Sequence, residues 1–383
     1  MPRLRVLVVD DSPLVRKLVT RMLESDPDMI VAATACNGRE AVAKYDVQRP
    51  DVVVLDVEMP VMNGLEALRE IRAMDDRAAV IMFSTLTERG ATATLQALSG
   101  GATDYVAKPA HVGAGAQDAG DVQAELIAKV KAAADVSRRS GRAPSAAPRP
   151  GAPPPATAPT PPAVAGPASA AASSDPPRPR FPRRNRAFRA IGIAASTGGP
   201  NALEEVVRNL PPSLPVPVFI VQHMPPVFTG MLARQLDEVT PLRVREAAGD
   251  EVAVSGEIWL APGALHMDVV PHAAGGRIRV FDGPREHSCR PAADVLFRSL
   301  ASVFGPSTLA IVLTGMGKDG AAGARAIRAR GGEVWAQDEA TSVVWGMPGE
   351  TVRDGQADAV LPLPVIAPRI ADLFAHAVPV AGR

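Results

Sequence analysis

Cysteine is scarce in this chain, long apolar runs are missing, and the charges cancel. Only two cysteines, Cys36 and Cys289, occur in 383 residues, and they lie far apart. That argues against a disulfide framework or a thiolate zinc site and fits a reducing cytoplasm. No apolar segment is long enough to span a bilayer. The opening MPRLRVLVVDDS carries acidic residues straight after a short apolar run, the wrong order for a signal peptide. Lys and Arg together number 41, as do Asp and Glu, so no global field favours nucleic acid or an anionic membrane. The expectation is a cytoplasmic protein with no nucleic-acid partner and no direct membrane insertion.

Apolar residues make up 46% of the chain, enough for substantial cores, and the length exceeds one ordinary core, so two domains are expected. Many of the 38 prolines crowd into residues 137–186, with alanine and almost no aromatics. Such a stretch cannot bury enough surface to offset its ordering entropy, so it reads as a disordered Pro/Ala-rich linker. It separates an N-terminal domain, residues 4–136, from a C-terminal one, residues 187–378.

In the N-terminal part, strand-like runs alternate with helix-like runs: LRVLVVD, DMIVAATA, DVVVLD, AVIMFS and ATDYVAK are each followed by a helical pattern, the last around Glu125–Ala134. Five β–α units imply a (βα)5 parallel sheet with helices on both faces and functional groups beyond the strands' carboxyl ends. Asp10 and Asp11 close the first strand, Asp56 the third, Ser84 the fourth and Lys108 the fifth. Clustered hard oxygen ligands suit Mg²⁺. Each Asp alone could be a helix cap or loop residue; five such groups on the correct strand ends argue otherwise.

VLVVDDS, VVVLDVEMPVMNGLE, MFSTLT and DYVAKP resemble the signature segments of response-regulator receiver domains, over about Leu4 to Val136. The resemblance implies Asp56 as phosphoacceptor and Asp10, Asp11, Asp56 and the Glu58 backbone carbonyl as Mg²⁺ ligands. It implies Ser84 and Lys108 as phosphoryl-binding groups and Tyr105 as an aromatic switch. The run AHVGAGAQDAGD after Pro109 is richer in Gly and Ala than that pattern and reads as an insertion.

In the C-terminal part, FRAIGIAAS reads as a strand ending at Ser196, and GGPNALEEVVRNL as the helix after it. Ala194–Gly198 has the spacing of a nucleophile elbow, small-x-Ser-x-Gly. The glycine spacing fits neither a dinucleotide-binding turn nor a P-loop. PVFIVQHMPP ends its strand at His223, a candidate base; His266 and His287 are plausible neighbours of a groove, while His272 and His376 have no loop chemistry nearby. LAIVLTGMGKDGAAGARAIRARG reads as strand, glycine-rich loop and helix, with Asp319 at the helix entrance, where it could orient the histidine or simply cap its own helix. Ser196, His223 and Asp319 all fall at strand carboxyl ends of a doubly wound Rossmann-like pattern, and triads are recognised by geometry rather than chain order. Backbone N–H groups of Thr197 and Met316 are candidates for an oxyanion hole. Both cysteines read as small apolar filler.

IGIAASTGGP, VQHMPPVFTG, WLAPGALHM, VLTGMGKDGAAG and AQDEATSVVWGMP resemble the effector domain of chemotaxis receptor methylesterases, over about Ala190 to Leu373. That family implies Ser196 as nucleophile, His223 as general base and Asp319 as its orienting acid. It implies hydrolysis of glutamate methyl esters on methyl-accepting chemoreceptors, often deamidation of receptor glutamines, a histidine kinase as phosphodonor, and no cofactor for the ester chemistry. One departure is Cys289-Arg290-Pro291-Ala292, where the family usually has His-Arg-Pro-Ser. A transcription regulator sharing the receiver would need a small output domain with a basic recognition helix, which this large α/β segment lacks. A scaffold with a vestigial triad is the other rival. The tether also suggests that the unphosphorylated receiver docks over the crevice of Ser196 and hinders access.

Overall fold

The structure is a computed structural model and describes residues 3–109, 116–139, 187–273 and 275–375. The expected linker from 140 to 186 lies outside the described residues, as does His376.

The first domain runs β1 (Leu4–Val9), α1 (Pro13–Glu24), β2 (Met29–Ala35), α2 (Gly38–Gln48), β3 (Val52–Asp56), α3 (Gly64–Met74), β4 (Ala79–Ser84), α4 (Glu88–Ser99), β5 (Asp104–Ala107) and α5 (Ala116–Arg139). The sheet is parallel in the order β2-β1-β3-β4-β5. β3, VVVLD, is buried along its whole length, as a central strand covered on both faces must be. Local chemistry starts the helices. Ser12 caps α1 ahead of Pro13 at its first turn, and Asn63 with Glu66 forms a reciprocal capping box on α3. Gly64 is required, because a Cβ there would lie 2.1 Å from the Asp56 carbonyl oxygen. α5 is longer than the expected 125–134. It begins inside the stretch read as an insertion, and past residue 136 the buried Ser137 hydroxyl still donates to the Arg77 carbonyl at 3.0 Å.

The second domain continues with β6 (Ala190–Ala195), α6 (Gly199–Arg208), β7 (Val218–Gln222), α7 (Phe228–Val239), β8 (Arg243–Glu246), β9 (Val252–Ala253), β10 (Glu257–Leu260), β11 (His266–His272) and β12 (Gly275–Phe281). It ends with α8 (Ala293–Phe304), β13 (Thr308–Val312), α9 (Ala321–Ala329), β14 (Glu333–Gln337), α10 (Met347–Arg353), β15 (Ala359–Leu361) and α11 (Leu363–Phe374). Seven parallel strands stand in the order β15-β14-β13-β6-β7-β10-β8. The chain enters at β6, builds outward through β7, then returns to β13 and builds the other way. The loops after β6 and β13 diverge there, which opens a crevice at the strands' carboxyl ends. An antiparallel layer, β11-β12-β9, is an addition to the doubly wound pattern that the sequence reading did not contain.

The described residues on both sides of the proline-rich stretch form one compact unit. α4 of the receiver packs against α6 and α7. The Tyr105 ring stacks on Phe228, the first residue of α7, at 5.0 Å between centroids and 11° between planes. Around this apolar contact, Ser99 Oγ donates to Glu204 at 3.0 Å, Gln235 Nε2 donates to Ser99 Oγ at 2.6 Å, and Asn201 donates to the Ala102 carbonyl at 3.3 Å.

Candidate active site

Ser196 follows β6 on a turn that only certain residues can build. Gly198 is left-handed at φ 73°, and a Cβ on it would lie 2.5 Å from Val343 Cγ2. The Ser196 N–H donates to the Thr314 carbonyl at 3.0 Å, and the Ser196 carbonyl accepts from Gln222 Nε2 at 2.9 Å. The Thr314 hydroxyl in turn donates to the Thr197 carbonyl at 2.9 Å and accepts from the Val344 N–H at 2.9 Å. Three loops, after β6, β13 and β14, are thereby pinned together, and the serine turn is rigid. Gly315 abuts it: a Cβ there would lie 2.9 Å from Ser196 Cβ. Among the described residues, the Thr197 and Met316 N–H groups donate to no other group.

His223 follows β7. Its Nε2 lies 2.8 Å from Asp319 Oδ2. Asp319 is fully buried and does not cap its own helix, whose first residue is preceded by Gly320 with no side-chain cap. Instead it caps α8: Oδ2 accepts from the Ala293 N–H at 2.6 Å and Oδ1 from the Asp294 N–H at 2.9 Å. Asp294 returns the favour to α9, accepting from Gly320 and Gly323 N–H at 3.0 and 2.6 Å. Two helix N-termini thus hold two carboxylates, and the dipoles favour their charge. Burial pushes the Asp319 carboxyl up, but the His223 hydrogen bond and charge, with the α8 N–H groups, hold it below its ordinary value. Burial also disfavours a charged His223 ring. The Asp319 hydrogen bond, then that of Cys289, outweigh it and raise the ring to about 10.

The other ring nitrogen, Nδ1, lies 3.5 Å from Cys289 Sγ, and no hydrogen bond joins it to the Ser196 hydroxyl in this state. Cys289 is half-buried, and Cys36 lies 3.1 Å from Glu40 through its sulfur; neither is the apolar filler expected. His287 pairs with Asp294 at 3.0 Å, one carboxylate removed from the His223–Asp319 pair. His266 is buried, held by the Pro284 carbonyl at 2.8 Å and stacked obliquely on Phe281; no contact ties it to Ser196. Gln222, Thr314 and Asp294 were missed in sequence, and Cys289 stood out only as a departure from the family pattern. Gln222 also left a signal, as a polar residue closing an apolar strand. Val227, between the His223 turn and α7, has φ 75°, a conformation costly for a β-branched residue. The segment joining His223 to the Tyr105-stacked Phe228 is therefore strained.

The receiver groups also converge. Lys108 Nζ lies 2.7 Å from Asp10 Oδ2 and 2.8 Å from Asp56 Oδ2, both carboxylates buried. Asp10, Asp11 and Asp56 carry oxygens within 4.8 Å of one another. Asp11, Asp56, Glu58, Ser84 and Lys108 line a pocket of about 290 Å³. Burial raises the Asp56 carboxyl to about 6 against the pull of Lys108, and Asp10 adds to the rise. Ser84 Oγ is turned to the Gly90 carbonyl at 3.2 Å.

Residues 191–370 match the family model described as CheB methylesterase, and residues 6–117 match the response regulator receiver domain. The protein-glutamate methylesterase/protein-glutamine glutaminase of Nocardioides sp. is 47% identical over 370 residues, covering 97% of this chain and 95% of its own. Protein-glutamate methylesterase/protein-glutamine glutaminase 2 of Caulobacter vibrioides is 45% identical over 371 residues, covering 96% and 98%. The crystal structure of the Thermotoga maritima CheB methylesterase catalytic domain is 37% identical and covers 49% of this chain and 99% of that one, with a TM-score of 0.48.

Proposed function

The chain belongs to the protein-glutamate methylesterase/protein-glutamine glutaminase family, and from that premise we propose how its own residues carry the chemistry. It is a receiver-regulated serine hydrolase that removes methyl esters from glutamate side chains of methyl-accepting chemoreceptors and deamidates receptor glutamines. The observation that carries this reading is the His223–Asp319 pair set beside a rigid serine turn with two free N–H donors.

A neutral serine hydroxyl is a poor nucleophile near pH 7, so His223 takes its proton as the Ser196 oxygen attacks the side-chain carbonyl. Asp319 holds Nε2 in the protonated tautomer, which leaves Nδ1 as the acceptor for the Ser196 proton. Nδ1 faces Cys289 and makes no hydrogen bond to Ser196, so attack requires that bond to form in the substrate complex, where hydrogen bonds of this kind tighten. The N–H groups of Thr197 and Met316 receive the tetrahedral oxyanion. His223 then returns its proton to the leaving methoxide or amide nitrogen, methanol or ammonia departs, and water cleaves the acyl-enzyme by the same route.

In the receiver, Asp56 is the phosphoacceptor and a histidine kinase the donor. The three clustered carboxylates and the Glu58 carbonyl are the groups that would hold Mg²⁺, and their oxygen-only donor set fits it. A cation bound there supplies charge neutralisation for the transferring phosphoryl group. Lys108, already bridging Asp10 and Asp56, and Ser84 then bind phosphoryl oxygens. Turning Ser84 from the Gly90 carbonyl shifts the start of α4, and Tyr105 lies against Phe228, five residues from His223. Phosphorylation thereby acts on the docking face. On this reading the protein works in the cytoplasm, on the receptors' cytoplasmic domains.

The test is methanol release from a methylated receptor by the full-length protein, with and without a small-molecule phosphodonor and Mg²⁺. Wild type should release methanol faster with the donor, Asp56→Asn should not respond, and Ser196→Ala should release none above background. Release by Ser196→Ala at the wild-type rate would sink the assignment.

A further inference from the structure

Cys289 approaches the site from the side of the histidine ring opposite Asp319. Its sulfur lies 3.5 Å from Nδ1 while Nε2 is held 2.8 Å from the carboxylate. Thiol, imidazole and carboxylate form one chain. That arrangement activates a cysteine, because an imidazole raised to about 10 and backed by a carboxylate places positive charge beside the sulfur as it attacks. The position is built rather than incidental. Glu286 and Cys289 exchange backbone hydrogen bonds at 3.1 and 2.8 Å, and the two residues between them, His287 and Ser288, are left-handed at φ 50° and 63°. Two adjacent non-glycine residues in that region cost free energy, and the turn they make is what turns the thiol toward His223. The thiol is half-buried, so small solutes reach it. Cys36 provides an internal contrast: its neighbours are the Glu40 carboxylate at 3.1 Å and the Asn37 amide at 3.4 Å, with no imidazole.

We propose that Cys289 is a modification site, at which hydroperoxides oxidise the thiol to a sulfenic acid and thereby switch the esterase off reversibly. The inference rests on His223 being the base for Ser196. In the step, the Cys289 sulfur bonds to one peroxide oxygen as the O–O bond breaks. Sulfur loses two electrons, the other oxygen leaves as hydroxide, or as alkoxide from an alkyl hydroperoxide, and the proton that the thiol gives up converts it to water or the alcohol. The new S–O–H group then competes for Nδ1, the nitrogen that must accept the serine proton, and it fills the space beside the ring. A thiol reductant reverses the change through a mixed disulfide.

The experiment uses the full-length protein as wild type, Cys289→Ser, Cys36→Ser and His223→Gln. Each is treated with hydrogen peroxide, trapped with dimedone and mapped by peptide mass spectrometry, and methanol release by wild type, Cys289→Ser and Cys36→Ser is read as a fraction of each protein's own untreated rate. Cys289 should label at least about tenfold faster than Cys36, and His223→Gln should slow that labelling about tenfold. Wild type and Cys36→Ser should lose at least about tenfold in rate and recover with dithiothreitol, while Cys289→Ser keeps its own rate. Equal labelling of the two cysteines, equal loss in Cys289→Ser, or labelling of Cys289 without loss of rate would each overturn the proposal. A protein inactive before any peroxide would fault the reading of the site instead, and the labelling comparison would still decide the thiol's reactivity.

Discussion

Replacing Asp319 by asparagine removes a charge and leaves the shape. The structure gives that carboxylate four donors: His223, the Ala293 and Asp294 N–H groups, and the Gly320 N–H at 3.0 Å. An amide has one acceptor oxygen, so its NH₂ must face a donor. Either α8 loses part of its cap, at about 1 kcal/mol, or the ring is presented with a donor where it needs an acceptor. The second case fixes the wrong tautomer, with a cost of roughly 10⁴-fold in kcat, or about 5 kcal/mol. A second readout separates this from a mere folding defect. Asp319 is the strongest group raising His223 to about 10, so the neutral ring that catalysis needs is a minor form at pH 7. Wild-type turnover should rise with pH, with an acid limb above the ordinary histidine value. In Asp319→Asn the limb should move down while the plateau falls. Stability follows the same linkage. A histidine raised in the folded state contributes stability below its unfolded value, and that contribution is lost as pH rises toward 10, so the wild type should lose part of its margin over that window and the variant less. Methanol release against pH, with thermal unfolding of both proteins, measures all of this. A variant within tenfold of wild type, or an unmoved acid limb, would refute the reasoning.

Asp56→Asn should accept no phosphoryl group from a small-molecule donor, read by intact mass, and should keep basal methanol release; because burial raises Asp56 to about 6 in the folded state, this carboxyl costs stability as pH rises from its ordinary value through 6, so the variant should melt higher at pH 7. Ser99→Glu sets a carboxylate against Glu204, and about 1 kcal/mol of repulsion should raise unphosphorylated activity roughly fivefold, measured by methanol release without a donor; an unchanged rate would mean that this interface does not restrain the enzyme. Gly198→Ala strains a left-handed position and drives a Cβ into Val343, so it should destabilise the domain by roughly 1–3 kcal/mol in urea unfolding, with partial rescue by Val343→Ala.

The receiver and the strand-end serine and histidine were legible in sequence because parallel strands are short apolar runs, and their carboxyl ends are marked by the first polar residue. Asp10, Asp56, Ser84 and Ser196 sit at such boundaries, and His223 lies one residue past Gln222. The role of Asp319 was only half legible. Its place beside a helix start suggested a local cap, yet its oxygens serve α8, twenty-five residues away in the chain, and nothing local encodes that exchange with Asp294. Cys289 was opaque for a related reason: its approach to His223 depends on a left-handed turn through His287 and Ser288, residue types that do not announce such a turn. The β11-β12-β9 layer was not legible because HMDVVPH opens with four buried residues in a row and so lacks the clean alternation of a half-buried strand. The docking face was hidden too, since Ser99, Glu204 and Gln235 read as ordinary helix-surface polar residues until the two domains are seen together.

On the proposed mechanism Ser196, and not Cys289, is the nucleophile. A peptide carrying a glutamate methyl ester, mixed with the full-length protein and quenched in acid during turnover, tests it by mass spectrometry. An acyl adduct, formed with loss of methanol, should appear on the peptide containing Ser196 and be absent in Ser196→Ala. An adduct on Cys289, or turnover with Ser196 unmodified and dispensable, would contradict it.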